Sequence, residues 1–84
     1  MKYHVALKPG AEKALGKLEN RHRRRILEAL LQLSNNPFLG KKLAGEFREY
    51  YSLRVWPYRI IYTFFQKELQ IIVIRIGHRQ GVYS

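Results

Sequence analysis

Tyr50–Tyr83, YYSLRVWPYRIIYTFFQKELQIIVIRIGHRQGVY, decides how this chain folds. Period-two alternation and β-branched and aromatic residues predict three consecutive antiparallel strands, approximately 47–55, 58–64 and 69–77. Val55-Trp56-Pro57-Tyr58 reads as the first connection, and Phe65 to Glu68 as the second. In that register Arg54 and Arg59 become cross-strand neighbours, with Ser52 and Tyr50 on their face and Leu53, Ile60, Tyr51 and Tyr62 on the other. The second face reads as core. The near-continuous apolar run of the third strand predicts a central strand covered on both sides, with Arg75 at its end reaching out to solvent or a glutamate. Gly77 then releases the chain into His78-Arg79, and His78 is expected on the same face as Arg59.

Working outward, KYHVAL at 2–7 alternates and reads as a short strand. Pro9 can open a helix, since the N–H it lacks has no partner in a first turn. Ala11, Ala14, Leu15 and Leu18 form one apolar helical stripe. Asn20 is placed to cap a second helix, in which Ile26, Leu27, Leu30, Leu31 and Leu33 make a broad apolar face before Ser34-Asn35-Asn36-Pro37 ends it. The two helices form a hairpin that must bury its apolar side on the sheet. PFLGKKLAG, 37–45, reads as a loop that projects Lys41 and Lys42 and is pinned by Leu39 and Leu43. Residues 1–84 thus read as a single α+β domain, β-α-α-β-β-β, with the helix hairpin packed on a small, mainly antiparallel four-stranded sheet.

Composition narrows the chemistry. Sixteen Lys and Arg stand against six acidic residues, all glutamate, for a net charge of +10 on a 10.0 kDa chain. Such a field attracts polyanions, nucleic acid first, or an acidic protein. The run Arg21, Arg23, Arg24, Arg25 points around a helix and reads as a solvated first turn, although cations there oppose the helix dipole and leave room for a phosphate or carboxylate contact. No cysteine is present, which removes disulfides, zinc–thiolate sites and cysteine nucleophiles and fits a reducing compartment. Without Asp, and with scattered Glu, the chain lacks the carboxylate cluster of two-metal phosphodiester cleavage, so no metal and no other cofactor is expected. The N-terminus has no apolar run suited to a signal peptide or membrane span, and a cytoplasmic protein with no membrane role follows.

Two guanidiniums facing each other on a sheet repel, and an anion between them explains the pair better than folding does. Arg54, Arg59, His78, Arg79 and Tyr83 together supply what metal-free RNA cleavage needs: cations for charge gathering on the phosphoryl oxygens, an acid/base group and a stacking surface.

The order of elements and the segments GKKLAG, SLRVWPYRIIY and IRIGHRQGVY resemble the RelE/ParE superfamily of toxins, in particular the RelE-type ribosome-dependent mRNA endonucleases, over nearly the whole chain. The resemblance implies a RelE-like fold and an endonuclease that enters the ribosomal A site, cuts the bound mRNA through 2′-OH attack, and is held inactive in a heteromeric complex with a cognate antitoxin. It places Arg59 on the phosphate-stabilising arginine, Arg79 on the arginine of transition-state stabilisation and leaving-group protonation, and Tyr83 on the tyrosine that stacks on the substrate. Lys41, Lys42, Arg48 and Ser52 are expected along the nucleic-acid path. Arg54 and Ser52 stand where well-studied members carry lysines, one of them proposed as general base. Arginine is effectively always protonated and makes a poor base. Activation of the 2′-OH then falls to His78, to Tyr83, or to charge stabilisation alone. Two other readings stay open: the sister branch that poisons DNA gyrase, and a basic module that binds RNA or an acidic protein without catalysis.

Overall fold

The computed structural model describes residues 2–78 and 80–81. The elements run β1 (His4–Leu7), α1 (Pro9–Lys17), α2 (Asn20–Asn35), β2 (Lys41–Lys42), β3 (Tyr51–Val55), β4 (Tyr58–Phe65) and β5 (Gln70–His78). The strands form one sheet in the order β1-β5-β4-β3-β2. All neighbours are antiparallel except β1, which runs parallel to β5. The sheet therefore has five strands rather than the expected four, the fifth being the two lysines expected in a loop.

Both helices lie on one face of the sheet. Pro9 occupies the first turn of α1, which packs on β5 with Ala11 buried. On α2, Ile26, Ala29, Leu30 and Leu33 repeat at i, i+3, i+4 and i+7 and are buried, while Leu27 and Leu31, expected in the same face, are about half exposed. The sheet meets this stripe with Ile60, Tyr62, Ile71, Val73 and Ile76. Each large aliphatic side chain enclosed here contributes roughly 1.5–3 kcal/mol of hydrophobic stabilisation.

Several boundaries differ from the sequence reading for local reasons. Asn20 is the first residue of α2 rather than its cap, and its side-chain oxygen accepts a hydrogen bond from Arg23. The strand expected from residue 47 begins at Tyr51. Gly45 turns the chain at φ 68°, and a 3₁₀ turn over Gly45–Phe47 keeps it coiled, with Arg48 N–H bonded to Gly45 C=O and Tyr50 N–H to Phe47 C=O.

The loop after α2 is held by Tyr62 rather than by Leu39, which is 46% exposed. The wholly buried Tyr62 hydroxyl donates to the Pro37 carbonyl at 2.7 Å and accepts from the Gly40 N–H at 2.9 Å. Burial pushes this phenol above its usual pKa of 10.0; the Gly40 bond pulls the other way, and a charged Tyr51 would add to the rise. A Cβ at Gly40 would lie 2.5 Å from that hydroxyl oxygen and 3.0 Å from the Ser52 carbonyl, so only glycine lets the loop close here. Three residues later Leu43 N–H bonds to Tyr50 C=O, and Lys41 and Lys42 fall into register beside β3.

β5 was expected to be covered on both sides. It lies between β1 and β4 and is buried only toward the helices, through Ile71, Val73 and Ile76. Ile72 and Ile74 are half-buried on the outer face.

Candidate functional site

The β3–β4 register fixes the site. Val55 pairs with Tyr58 across the turn, so Arg54 stands directly opposite Arg59, Leu53 opposite Ile60 and Tyr51 opposite Tyr62. The last two pairs face the helices; the arginines face away from them. Arg54 is exposed and Arg59 half-buried. Like charges directly opposite on a sheet oppose folding by a few tenths to about 1 kcal/mol. Ser52 sits diagonally from Arg59 on the same face, is 5% exposed, and accepts a hydrogen bond from Arg59 Nη1 at 3.3 Å. That contact steers the Arg59 guanidinium along the outer face. Lys41 pairs with Ser52 and shares its face, whereas Lys42 pairs with Tyr51 and takes the opposite one. Both lysines are exposed, as is Arg48 in the turn before β3. Lys41, Ser52, Arg54 and Arg59 are thus brought together on one side of the sheet.

His78 is not. It was expected beside Arg59, but β5 carries one extra residue, Ile74, between the pairs Tyr62–Val73 and Ile61–Arg75. A single inserted residue reverses which side chains face which way beyond it. Gly77 consequently lies opposite Arg59, and His78 lies opposite Tyr58 on the helix side. There the His78 ring meets Tyr58 edge-on at 6.1 Å, and Tyr58 meets His22 of α2 edge-on at 5.2 Å. His78 Nδ1 faces the Gln80 N–H at 3.5 Å. Arg79 and Tyr83 lie outside the described residues.

Sequence reasoning missed the fifth strand and with it the alignment of Lys41 on Ser52. Its only sequence signal is the glycine that precedes the lysine pair, which admits the Tyr62 hydroxyl. Among the described residues no three His, Asp or Glu side chains gather as a metal-ligand group, and no helix is long and apolar enough to cross a membrane. What the arrangement can do is meet an anion with two guanidiniums on one face of the sheet, that of Arg59 held by Ser52.

Residues 5–83 match the family described as the ParE toxin of the type II toxin–antitoxin system, parDE. No curated protein matches the chain by sequence. Among solved structures, a chain of the RelBE2 toxin–antitoxin complex from Mycobacterium tuberculosis is 30% identical, with 94% of this chain and 100% of that one covered at a TM-score of 0.86. A chain of the archaeal RelE–RelB complex from Pyrococcus horikoshii is also 30% identical, with 98% and 100% covered at a TM-score of 0.80. The isolated Escherichia coli RelE toxin shares the fold at 23% identity, with 90% and 83% covered and a TM-score of 0.79. With a family match over nearly its full length and relatives at this identity, the chain belongs to the RelE/ParE superfamily of toxins of type II toxin–antitoxin systems.

Proposed function

We propose that this toxin is a ribosome-dependent, metal-independent endoribonuclease that cuts mRNA in the A site by attack of a ribose 2′-OH on its own 3′ phosphate. The observation that carries the reading is the pairing of Arg54 with Arg59 on the outer face, with Ser52 bonded to Arg59. A phosphodiester between these cations relieves their repulsion. As the 2′ oxygen bonds to phosphorus and the 5′ oxygen leaves, charge accumulates on the phosphoryl oxygens and is stabilised by the guanidiniums. The 2′-OH proton passes to solvent or base, and the departing 5′ oxygen takes a proton in turn. His78 faces the helices and receives no part in these steps. Arg79 and Tyr83 keep the roles that their place in the sequence motif suggests, leaving-group protonation and stacking on the substrate.

The toxin is proposed to act in the cytoplasm and to be restrained by a cognate antitoxin in a heteromeric complex. The relatives solved as RelBE and RelE–RelB complexes support that pairing. Purified protein added to mRNA-programmed ribosomes tests the activity. Cleavage should fall sharply for Arg59→Ala, Arg79→Ala and Tyr83→Phe. Equal cutting by all four proteins would remove these residues from the mechanism, and no cutting by any would leave a basic module without catalysis.

The family match to ParE toxins favours one further reading, inhibition of DNA gyrase. Gyrase-dependent DNA breaks in cells expressing the protein, with mRNA intact, would select it.

A further inference from the structure

The turn that joins β3 to β4 stands across from the middle of α2, and between them runs a groove of about 250 Å³. Its walls carry Arg25, Glu28 and Gln32 from the helix and Arg54 and Trp56 from the hairpin. Trp56 is the chain's single tryptophan and is 53% exposed. β2 pairs only with Tyr51 and Ser52, so among the described residues no strand covers Leu53–Val55 on the side away from β4, and the groove is open past that edge.

We infer that this groove is a subsite for one unpaired RNA nucleotide, placed next to the phosphate held by Arg54 and Arg59. The inference rests on the nuclease reading for its neighbour, but its own evidence is the lining. An indole offers a stacking plane to any base, and aromatic planes interleaved with cations are how single strands are held. Arg25 supplies a charge for the nucleotide's phosphate. Glu28 and Gln32 supply the acceptors and donor that a base edge needs for hydrogen bonding. Arg54 belongs both to the groove and to the arginine pair, so a strand that rounds the sheet edge at Arg54 passes from one to the other.

The groove between β1 and α2 makes a contrast. It is larger, about 390 Å³, and is lined mainly by aliphatic residues of β1 and α2 together with Tyr3, His4 and Ser34, with no lysine or arginine among its lining residues. An apolar protein segment suits that surface; a nucleotide suits the one at Trp56.

The lone tryptophan makes the test direct. The full chain is titrated with a fluorescein-labelled 2′-O-methyl RNA hexamer, which cannot be cut through its 2′ oxygen, and Trp56 emission and label anisotropy are followed together. The expected result is saturable quenching of Trp56 that tracks the anisotropy. Trp56→Ala and Arg25→Ala, both at exposed positions, should each weaken binding roughly tenfold with the circular dichroism unchanged. RNA binding without a change in Trp56 emission, absence of RNA binding, or wild-type affinity in both variants would overturn the subsite. Quenching by a polyglutamate peptide but not by RNA would reassign the groove to an acidic protein segment and overturn it equally. A protein that cuts ribosome-bound mRNA without quenching loses the subsite and keeps the nuclease reading; one that quenches without cutting does the reverse.

Discussion

Removing one oxygen atom, in Tyr62→Phe, tests how the strand of lysines is held beside the site. The Tyr62 hydroxyl donates to Pro37 C=O at 2.7 Å and accepts from Gly40 N–H at 2.9 Å, and the residue is fully buried. Phenylalanine keeps the ring, its stacking on Tyr51 at 5.6 Å, and nearly all of its apolar burial. What is lost is polar satisfaction. Leaving a buried donor or acceptor unpaired costs about 1–3 kcal/mol. The carbonyl belongs to buried Pro37 and should bear the full penalty, whereas the half-buried Gly40 amide recovers part of its cost from water. The sum is about 2–4 kcal/mol, and at ~4–8 °C per kcal/mol for a domain of this size the thermal midpoint should drop by roughly 10 °C or more. Urea unfolding followed by circular dichroism measures the change. Thr63→Val is the internal comparison, because the Thr63 hydroxyl also donates to a backbone carbonyl, that of Glu49 at 3.0 Å, but in an exposed setting where water can replace it. Its cost should stay under about 1 kcal/mol. Equal losses for the two variants, or a loss below about 0.5 kcal/mol for Tyr62→Phe, would refute the claim that this hydroxyl clamps the loop.

The same phenol makes stability fall in alkali. Its folded pKa lies above the ordinary value of 10.0, so its contribution is fully present below pH 10 and is lost as pH rises from there through the folded pKa; urea midpoints measured on both sides of pH 10 should fall more steeply for wild type than for Tyr62→Phe. Gly40→Ala should cost more than the ~1 kcal/mol that a new methyl commonly brings, because the Cβ meets both the Tyr62 hydroxyl oxygen and the Ser52 carbonyl, and it should speed amide exchange at Lys41 and Leu43. Arg54→Thr should stabilise the fold by a few tenths to about 1 kcal/mol by ending the repulsion with Arg59, while lowering cleavage on programmed ribosomes; loss of stability without loss of cleavage would assign Arg54 to folding.

Most of the scaffold could be read from residue patterns. The helices follow from apolar spacing, and the β3–β4 register follows from the short Trp56-Pro57 connection, which leaves Arg54 and Arg59 opposed. What escaped the sequence was set by long-range contacts or by uniform composition. β2 is two lysines with no pattern of their own, aligned by a tyrosine twenty residues further on. The face of His78 depends on phase within QIIVIRIGH, and in a run where nearly every residue is apolar, alternation carries no phase.

That hidden phase shift shapes the site. Had β4 and β5 continued in the register of Tyr62 and Val73, Arg59 would stand opposite Ile76, and an isoleucine would occupy the outer face beside the guanidinium. The extra residue at Ile74 moves Ile76 opposite Ile60, where it is buried against the helices at 5% exposure, and brings Gly77 opposite Arg59. One inserted residue therefore completes the core and leaves the β5 position opposite Arg59 without a side chain. Bulges often re-aim side chains next to active sites, and here the bulge removes one instead. The cross-strand neighbours of Arg59 become a cation on one side and a glycine on the other, with a hydroxyl on the diagonal. Beyond the Arg59–Ser52 hydrogen bond folding gains little from that set, since it joins like charges and leaves one strand position bare. Under the proposed nuclease function, a phosphate gains two charges, a surface it can approach closely, and an arginine already held in place by Ser52.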